Sequence, residues 1–157
     1  RERANEAAEA GAQKGRVQGN VYITSHRVGK IGPHHTALEY TDGNGKVIVL
    51  SAGPVEGNLV SDVNRPSDAP SNNVTVGLVT PPEGKTPSQY IKALSTADAN
   101  YCDCVDYDLF PGISDSYNSN SYMHGLIRAT GGTSAIDLND YVGGAKPLPS
   151  TYFRKEE

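Results

Sequence analysis

Alternating hydrophobic and polar residues dominate the first half of the chain, and this alternation is typical of half-buried β-strands. The run V-Y-I-T-S-H-R-V (residues 21–28) predicts one strand, and V-T-V-G-L-V (residues 74–79) predicts another. Between them, H-T-A-L-E-Y-T (residues 35–41) and K-V-I-V-L-S (residues 46–51) flank D-G-N-G, which predicts a β-hairpin closed by a Gly-rich turn. The first half is therefore expected to form a sheet.

Two helix signals follow in the second half. In T-P-S-Q, Thr86 is a typical N-cap, Pro87 suits the first helical position and Gln89 completes a capping box, so a helix is predicted from there to about Tyr101. A second helix is predicted over residues 121–130, where two glycines follow as a stop signal.

The remaining segments predict loops and set the domain organisation. Residues 52–73 are rich in Gly, Pro, Ser, Asp and Asn, which predicts a long surface loop with Leu59 and Val60 as one short apolar anchor. Residues 1–16 are Ala-rich with almost no large apolar side chain, so we interpret them as a linker from a preceding polypeptide. Residues 17–157 then form one domain with an α+β fold, an antiparallel sheet with a few helices.

Composition narrows the classes of function. Of the 157 residues, 36% are hydrophobic and 20% are charged, and the formal net charge is −4. No run of Lys and Arg is present, so no nucleic-acid partner is favoured. No apolar run approaches the ~20 residues of a membrane-spanning helix, and no export signal opens the chain.

The chain begins at Arg1 and its one methionine is Met123, so we expect a processed piece or a domain at the end of a larger polypeptide. Cys102 and Cys104 are two residues apart, a spacing poorly suited to a disulfide, and no nearby Cys or His completes a zinc site. Two reduced cysteines are therefore expected, and no metal or other cofactor is implied.

The segment Y-N-S-N-S-Y-M-H-G (residues 117–125) has two interpretations. Ser and Asn are preferred N-cap residues, so these side chains are explained by the start of the second helix alone. Alternatively, Ser119 is a nucleophile, because a helix start offers a favourable dipole and free backbone N–H groups for an oxyanion.

Two histidines in G-P-H-H-T-A-L-E-Y favour the second interpretation, because an imidazole accepts a proton near neutral pH. His35 is the candidate base at the entry of a strand. Glu39 is the candidate third member, since residues 35, 37 and 39 share one face of a strand. The Glu39 side chain is equally explained as a solvated strand residue.

Four further polar residues near the predicted helix start are candidates for substrate binding or for an oxyanion site: Asn118, Asn120, Ser121 and His124. Asn118 is the one expected to help an oxyanion site. For Asn120 and Ser121 a cap and a local hydrogen-bonded pair is the simpler explanation. His124, on the first turn, points either toward the same cleft or outward.

The motifs P-x-H-T-A-L, S-A-G-P, Y-D-L-F-P, Y-N-S-N-S-Y-x-x-G-L and K-P-L-P resemble C-terminal toxin domains of bacterial polymorphic toxins, the variable tips of Rhs and filamentous-haemagglutinin-type proteins. The resemblance spans roughly residues 35–153. An early His followed by a late helical nucleophile also resembles permuted papain-like enzymes such as the lecithin:retinol acyltransferase group. It implies a secreted antibacterial effector that is delivered into a target cell as part of a larger protein and is blocked by a cognate immunity protein.

In the permuted papain-like group the late motif carries Cys where this chain has Ser119. A serine needs a base more than a cysteine does, because its pKa is far higher. Three explanations are open: a genuine serine nucleophile, lost or relocated chemistry, or an exchange of Cys for Ser. The motif Y-N-S-N-S-aromatic favours a natural serine.

The function expected from these features is that of a hydrolase or acyl-transferring enzyme, peptidase- or amidase-like, that acts through Ser119 and His35. One alternative is a metal-independent ribonuclease toxin that uses His35 and His124 as acid and base. Another is a non-enzymatic binding domain built on the nine Tyr and the long polar loops. The target-cell substrate is not indicated by any motif.

Overall fold

A computed structural model describes residues 17–154 of the chain. The segment interpreted as a linker, residues 1–16, lies outside the described residues. Eight strands and two α-helices, α1 (Pro87–Asn100) and α2 (Ser119–Ala129), form the described part as an α+β fold. The strands are β1 (Val21–Arg27), β2 (His34–Thr41), β3 (Val47–Val55), β4 (Asn58–Val63), β5 (Val74–Thr80), β6 (Val105–Tyr107), β7 (Ser116–Tyr117) and β8 (Thr133–Ser134).

All eight strands belong to one sheet in the order β7-β6-β4-β3-β2-β1-β5-β8. The expected antiparallel arrangement holds for every neighbouring pair except β6 and β7, which are parallel, so the sheet is mixed. The exception arises because the connection from β6 to β7 passes through the loop at residues 108–115 instead of a tight hairpin.

The hairpin of β2 and β3 forms as predicted. Its turn is stabilised locally, since the carboxylate of Asp42 accepts hydrogen bonds from the backbone N–H groups of Asn44 and Lys46, each at 2.9 Å. Leu38 pairs with Leu50 across the two strands, and both side chains are buried in the main core.

The predicted loop over residues 52–73 is wrong in its first half. β3 continues to Val55, and β4 follows after a two-residue turn at Glu56 and Gly57, which have φ of 50° and 84°. Positive φ at both central residues is the geometry that tight hairpins prefer, and the pair Glu-Gly supplies it less obviously than Asn-Gly does. Only residues 64–73 are a connection, with short 3₁₀ turns at Pro66–Asp68 and Pro70–Asn72.

Both predicted helices form. α1 begins with the predicted capping box, in which the Thr86 side chain accepts from Gln89 N and the Gln89 side chain accepts from Thr86 N. α2 begins at Ser119, two residues earlier than predicted. The helices pack on one face of the sheet through a core that includes Leu38, Leu50, Leu94, Met123 and Leu126.

The expectation of two reduced cysteines is contradicted, because Cys102 and Cys104 form a disulfide. Asp103 between them has a φ of 56°, and this left-handed turn brings the two Cα atoms to 5.1 Å, within the range that disulfides span. Two cysteines separated by one residue can therefore form a disulfide when that residue does not adopt the extended backbone conformation.

Candidate active site

The start of helix α2 is capped by Asn118 and Ser121. Asn118 Oδ1 accepts hydrogen bonds from the backbone N–H groups of Asn120 and Ser121, each at 3.0 Å, and Ser121 Oγ accepts from Asn118 N at 3.2 Å. These bonds form a reciprocal capping box that satisfies backbone N–H groups at this buried helix start. The cap leaves the backbone N–H of Ser119 unused.

Ser119 differs from its neighbours because its side chain has no part in the cap. No described residue forms a hydrogen bond with Ser119 Oγ, although the residue is only 8% exposed. The side chain instead lines a cavity of about 260 Å³. The capping explanation of the Asn-Ser segment therefore accounts for Asn118 and Ser121 and leaves the Ser119 hydroxyl unexplained.

Asn120 connects the helix start to strand β2. Its Oδ1 accepts from Thr36 N at 2.9 Å and from Thr36 Oγ1 at 2.7 Å, and its Nδ2 donates to the carbonyl of His34 at 2.8 Å. The residue after Ser119 thus holds the residues on both sides of His35. This connection brings the candidate nucleophile and the candidate base to one cavity, which both residues line.

His35 is fixed by a carboxylate that the sequence did not indicate. Its Nε2 lies 2.8 Å from Asp68 Oδ1, and neither atom forms a hydrogen bond with any other described group. Each is therefore the other's closest polar partner. Nδ1 of the same ring makes no hydrogen bond with a described residue, so it is the nitrogen available to a reacting group.

Asp68 is fully buried and has further partners beside His35. Its Oδ2 accepts a hydrogen bond from Ser51 Oγ and lies 3.5 Å from Nη1 of Arg65. Burial by itself raises the pKa of the Asp68 carboxyl, whereas the hydrogen bond and charge of His35 lower it. With the smaller contributions of Ser51 and Arg65, the pKa is lowered below its ordinary value, which keeps Asp68 ionised.

The connection after β4 positions this carboxylate. Asn64 has a φ of 56° and bonds twice with Val49, through Asn64 N to Val49 O at 2.8 Å and through Val49 N to Asn64 Oδ1 at 2.7 Å. At the other end, Asn73 Nδ2 donates to Asp68 O at 2.8 Å, and Asn73 Oδ1 lies 2.8 Å from His26 Nδ1. These bonds hold the Pro-rich turn against the sheet.

The cavity lies where the ends of β1 and β3 and the start of β2 meet the start of α2. Its polar and charged wall is formed by His26, His34, His35, Arg65, Ser67, Tyr107, Asn118, Ser119 and Asn120. Among the described residues that line it, none is Asp or Glu. Within residues 17–154, no group of three or more His, Cys, Asp or Glu side chains is placed to hold a metal ion.

Two predicted members do not join this group. Glu39 is buried and lies four residues along β2 from His35, roughly 13 Å at the usual strand rise, and the carboxylate beside His35 is that of Asp68. His124 lines a different cavity, and its Nδ1 is 2.5 Å from the carbonyl of Gly144. The pair suggested for a ribonuclease, His35 and His124, therefore does not share a cavity.

The three remaining candidates have structural contacts. Both Asn118 Nδ2 hydrogens are used, on the carbonyls of Leu109 and Val142, so this amide has no donor left for an oxyanion. The amide of Asn120 is occupied by β2, and Ser121 is fully buried with its hydroxyl donated to Gly143 O at 3.0 Å.

Sequence reasoning missed Asp68, Arg65 and His26. Asp68 lies in P-S-D-A-P, where Pro, Ser and Asp are the usual composition of a surface turn, so no local signal marks it as buried. Arg65 three residues earlier is the one hint, because a cation and an anion at this spacing often pair.

Comparison of the chain with models of protein families, with characterised proteins and with solved structures finds no match. Among the described residues, no helix is long and apolar enough to cross a membrane.

Proposed function

We propose that this chain is a hydrolase or acyl-transferring enzyme in which Ser119 is the nucleophile, His35 the general base and Asp68 the residue that orients His35. The observation that carries the proposal is the Ser119 hydroxyl, which has no hydrogen-bond partner among the described residues and faces the cavity that His35 also lines. A base on an early strand and a nucleophile at the start of a later helix correspond to a permuted papain-like arrangement.

The proposed reaction begins when Ser119 Oγ attacks the carbonyl carbon of an ester or amide and its proton passes to His35 Nδ1. The bond to the alcohol or amine then breaks, and His35 returns the proton to that leaving group. Water, or an acceptor hydroxyl or amine, attacks the acyl-enzyme by the same route and regenerates Ser119. Asp68 stays ionised throughout and stabilises the charged imidazole, as its lowered pKa favours.

The Ser119 backbone N–H supplies one donor for the negatively charged oxygen that forms during this attack. It is the first N–H of α2, the cap leaves it unused, and the helix dipole adds positive potential at the same place. This donor replaces the Asn118 amide in the role expected from the sequence.

The biological setting we propose rests on the resemblance to polymorphic toxin domains. The chain would act as an antibacterial effector, delivered into a target cell as the tip of a larger secreted protein and neutralised by an immunity protein that blocks the cavity. Expression in bacteria should be toxic, and Ser119→Ala and His35→Ala should each abolish toxicity while circular dichroism shows an intact fold. Toxicity retained by both variants would overturn the proposal.

A sharper test uses Ser119→Cys, because the two natural cysteines are joined in a disulfide and the new thiol is then the one free thiol of the described residues. A thiol paired with His35 at a helix start should ionise at low pH. Iodoacetamide should therefore alkylate it at pH 6 about 100-fold faster than the thiol of Ser67→Cys, a matched control at an exposed position on the same cavity wall.

Adding His35→Gln should remove the fast reaction at pH 6 and leave ordinary alkylation at pH 9. Equal rates for the Ser119→Cys and Ser67→Cys thiols at pH 6 would show that no base activates position 119. Degradation of total RNA that is unaffected by Ser119→Ala would instead support the ribonuclease. Ligand binding that is insensitive to mutation of Ser119 and His35 would support a binding domain.

A further inference from the structure

The one side chain with a permanent charge in the described lining of the cavity beside Ser119 is a cation, although the chain is acidic overall. The formal net charge is −4, yet the described lining contains Arg65 and three histidines and lacks any carboxylate. Asp68, the carboxylate that contacts His35, is fully buried and does not line this cavity. Arg65 therefore supplies the permanent charge on the surface that meets a substrate.

Arg65 has unused hydrogen-bond donors at this surface. A guanidinium carries five N–H donors, and none of them forms a hydrogen bond with a described residue. Its contact with Asp68 is an ion pair at 3.5 Å through Nη1, whereas a guanidinium committed to a carboxylate makes two parallel bonds at shorter distance. The side chain is 23% exposed, so solvent and small ligands reach it.

The guanidinium of Arg65 packs against Gly53. A Cβ atom added at Gly53 would overlap Nη2 and approach Cζ and Nη1 to 2.6 Å, so the group lies against the bare backbone of β3. This packing limits the freedom of the long side chain, and Arg65 lines the same cavity as Gly53 and Ser119 as well as a second cavity beside Asp68. The arrangement is that of a pre-positioned anion receptor.

We infer that the substrate carries an anionic group, a carboxylate or a group of similar size, close to the carbonyl that Ser119 attacks, and that Arg65 binds this group. The inference rests on the proposed function and specifies its substrate class: an anionic acyl compound, such as an amide or ester with a free carboxylate a few bonds from the reacting carbon. Arg65 is then the residue that selects substrate, distinct from the three that perform the reaction.

Two alkylating reagents of nearly equal size test this inference on the Ser119→Cys protein. Iodoacetate is anionic and iodoacetamide is neutral, and both place the reacting carbon one bond from the oxygen-bearing group. The ratio of their rates, divided by the same ratio for 2-mercaptoethanol as a free thiol, should favour iodoacetate about tenfold. Arg65→Gln should bring this normalised ratio close to one, and Arg65→Lys should keep part of the preference.

The normalised rate ratio distinguishes an Arg65 that binds an anionic group from an Arg65 that only positions Asp68. If Arg65 acted only by stabilising Asp68, its replacement would slow both reagents equally and leave the ratio unchanged, which would overturn the inference. A normalised ratio near one in the Ser119→Cys protein itself, with fast reaction of both reagents, would also overturn it while sustaining the proposed nucleophile and base. Slow reaction of both reagents would mean that the proposed function itself had failed.

A second measurement leaves Arg65 intact. Sodium acetate at about 100 mM should slow alkylation of the Ser119→Cys thiol by iodoacetamide, because the anion occupies the Arg65 site, whereas acetamide at the same concentration should not. Sodium chloride at equal ionic strength is the control for general screening. Equal slowing by acetate, acetamide and chloride would count against the site.

Discussion

Two buried aspartates, Asp68 and Asp98, have side-chain environments that change the pKa of the carboxyl group in different ways. Asp68 is fully buried and Asp98 is 7% exposed, yet their pKa values move in opposite directions. The pKa of Asp68 is lowered, while burial raises the pKa of Asp98 to about 6, with further increases from the charges of Asp103 and Asp62. Burial therefore does not decide the charge of a carboxylate; its partners do.

The partners differ in chemistry and in position. Asp68 has His35, Arg65 and a serine hydroxyl around it at the edge of a cavity. Asp98 lies on the inner face of α1, where Tyr122 donates a hydrogen bond to it and no cation among residues 17–154 compensates its charge. The Tyr122 ring in turn packs at a steep angle against the rings of Tyr101 and Phe153, at centroid distances of 5.1 and 5.3 Å. The first aspartate is therefore held as a carboxylate beside a histidine, and the second is packed beside aromatic rings.

The largest expected contrast is in reactivity. In the Ser119→Cys background, Asp68→Asn should reduce the rate of iodoacetamide alkylation at pH 6 by up to about 100-fold, to the rate of the Ser67→Cys control, because His35 loses the charge that orients and stabilises it. Asp98→Asn should change the same rate less than about twofold. Equal effects of the two substitutions would remove the distinction between a reactive and a structural aspartate.

The second contrast is in the pH dependence of stability. The pKa of Asp98 is higher in the folded protein, about 6, than in the unfolded chain, so the folded state binds the proton more tightly. The contribution of this proton to the free energy of unfolding is complete below about pH 4 and is lost as the pH rises through 6. The total decrease in the free energy of unfolding is roughly 3 kcal/mol. Asp68, with a lowered pKa, contributes in the opposite sense and loses its contribution in acid.

Urea unfolding of the wild type and of Asp98→Asn between pH 4.5 and 7.5 measures this effect. The difference in unfolding free energy between the two proteins should shift by roughly 2 kcal/mol in favour of the variant across this range, since part of the total change lies below pH 4.5. A difference that stays constant with pH would show that Asp98 titrates as an ordinary surface carboxylate.

A smaller effect is expected from Tyr122→Phe, which removes only the hydroxyl that donates to Asp98. At pH 7.5 the carboxylate is ionised and buried without that donor, so the unfolding free energy should fall by about 2 kcal/mol. At pH 4.5 the protonated carboxyl is less dependent on a donor, and the loss should be smaller. In the Asp98→Asn background, the effect of Tyr122→Phe should lose this dependence on pH.

The smallest effect belongs to the disulfide. Cys102 and Cys104 flank Asp103, whose carboxylate accepts from Ser61 N at 2.8 Å, so the bond supports the side of the molecule that carries Asp98. It closes a loop of three residues, and the Cys102→Ser/Cys104→Ser double variant should lose only about 1 kcal/mol. Thermal unfolding measures the change, and the reactivity of a thiol at position 119 should be unaffected in this background.

Local sequence was enough to predict the elements whose signals are contained within a few residues. The Asp42 turn and the Thr86 capping box are each closed by bonds that span at most four residues. β4 was missed because its turn uses Glu56 where Asn is usual, and the parallel pairing of β7 has no local signal at all. Of the site, Ser119 and His35 were identified as candidates and Asp68 was not.

The sequence by itself determined the α+β class, the hairpin and both helices, because patterning and capping act between near neighbours. It also identified Ser119 and His35 as candidates for a nucleophile and a base. The tertiary structure decided which hydroxyl is left without a structural partner and which carboxylate meets His35. Asn120 joins Thr36 across 84 positions of the chain, and the Pro-rich turn folds back on the sheet to bury Asp68. Such contacts depend on how distant segments pack, so the spacing of residues in the sequence does not predict them.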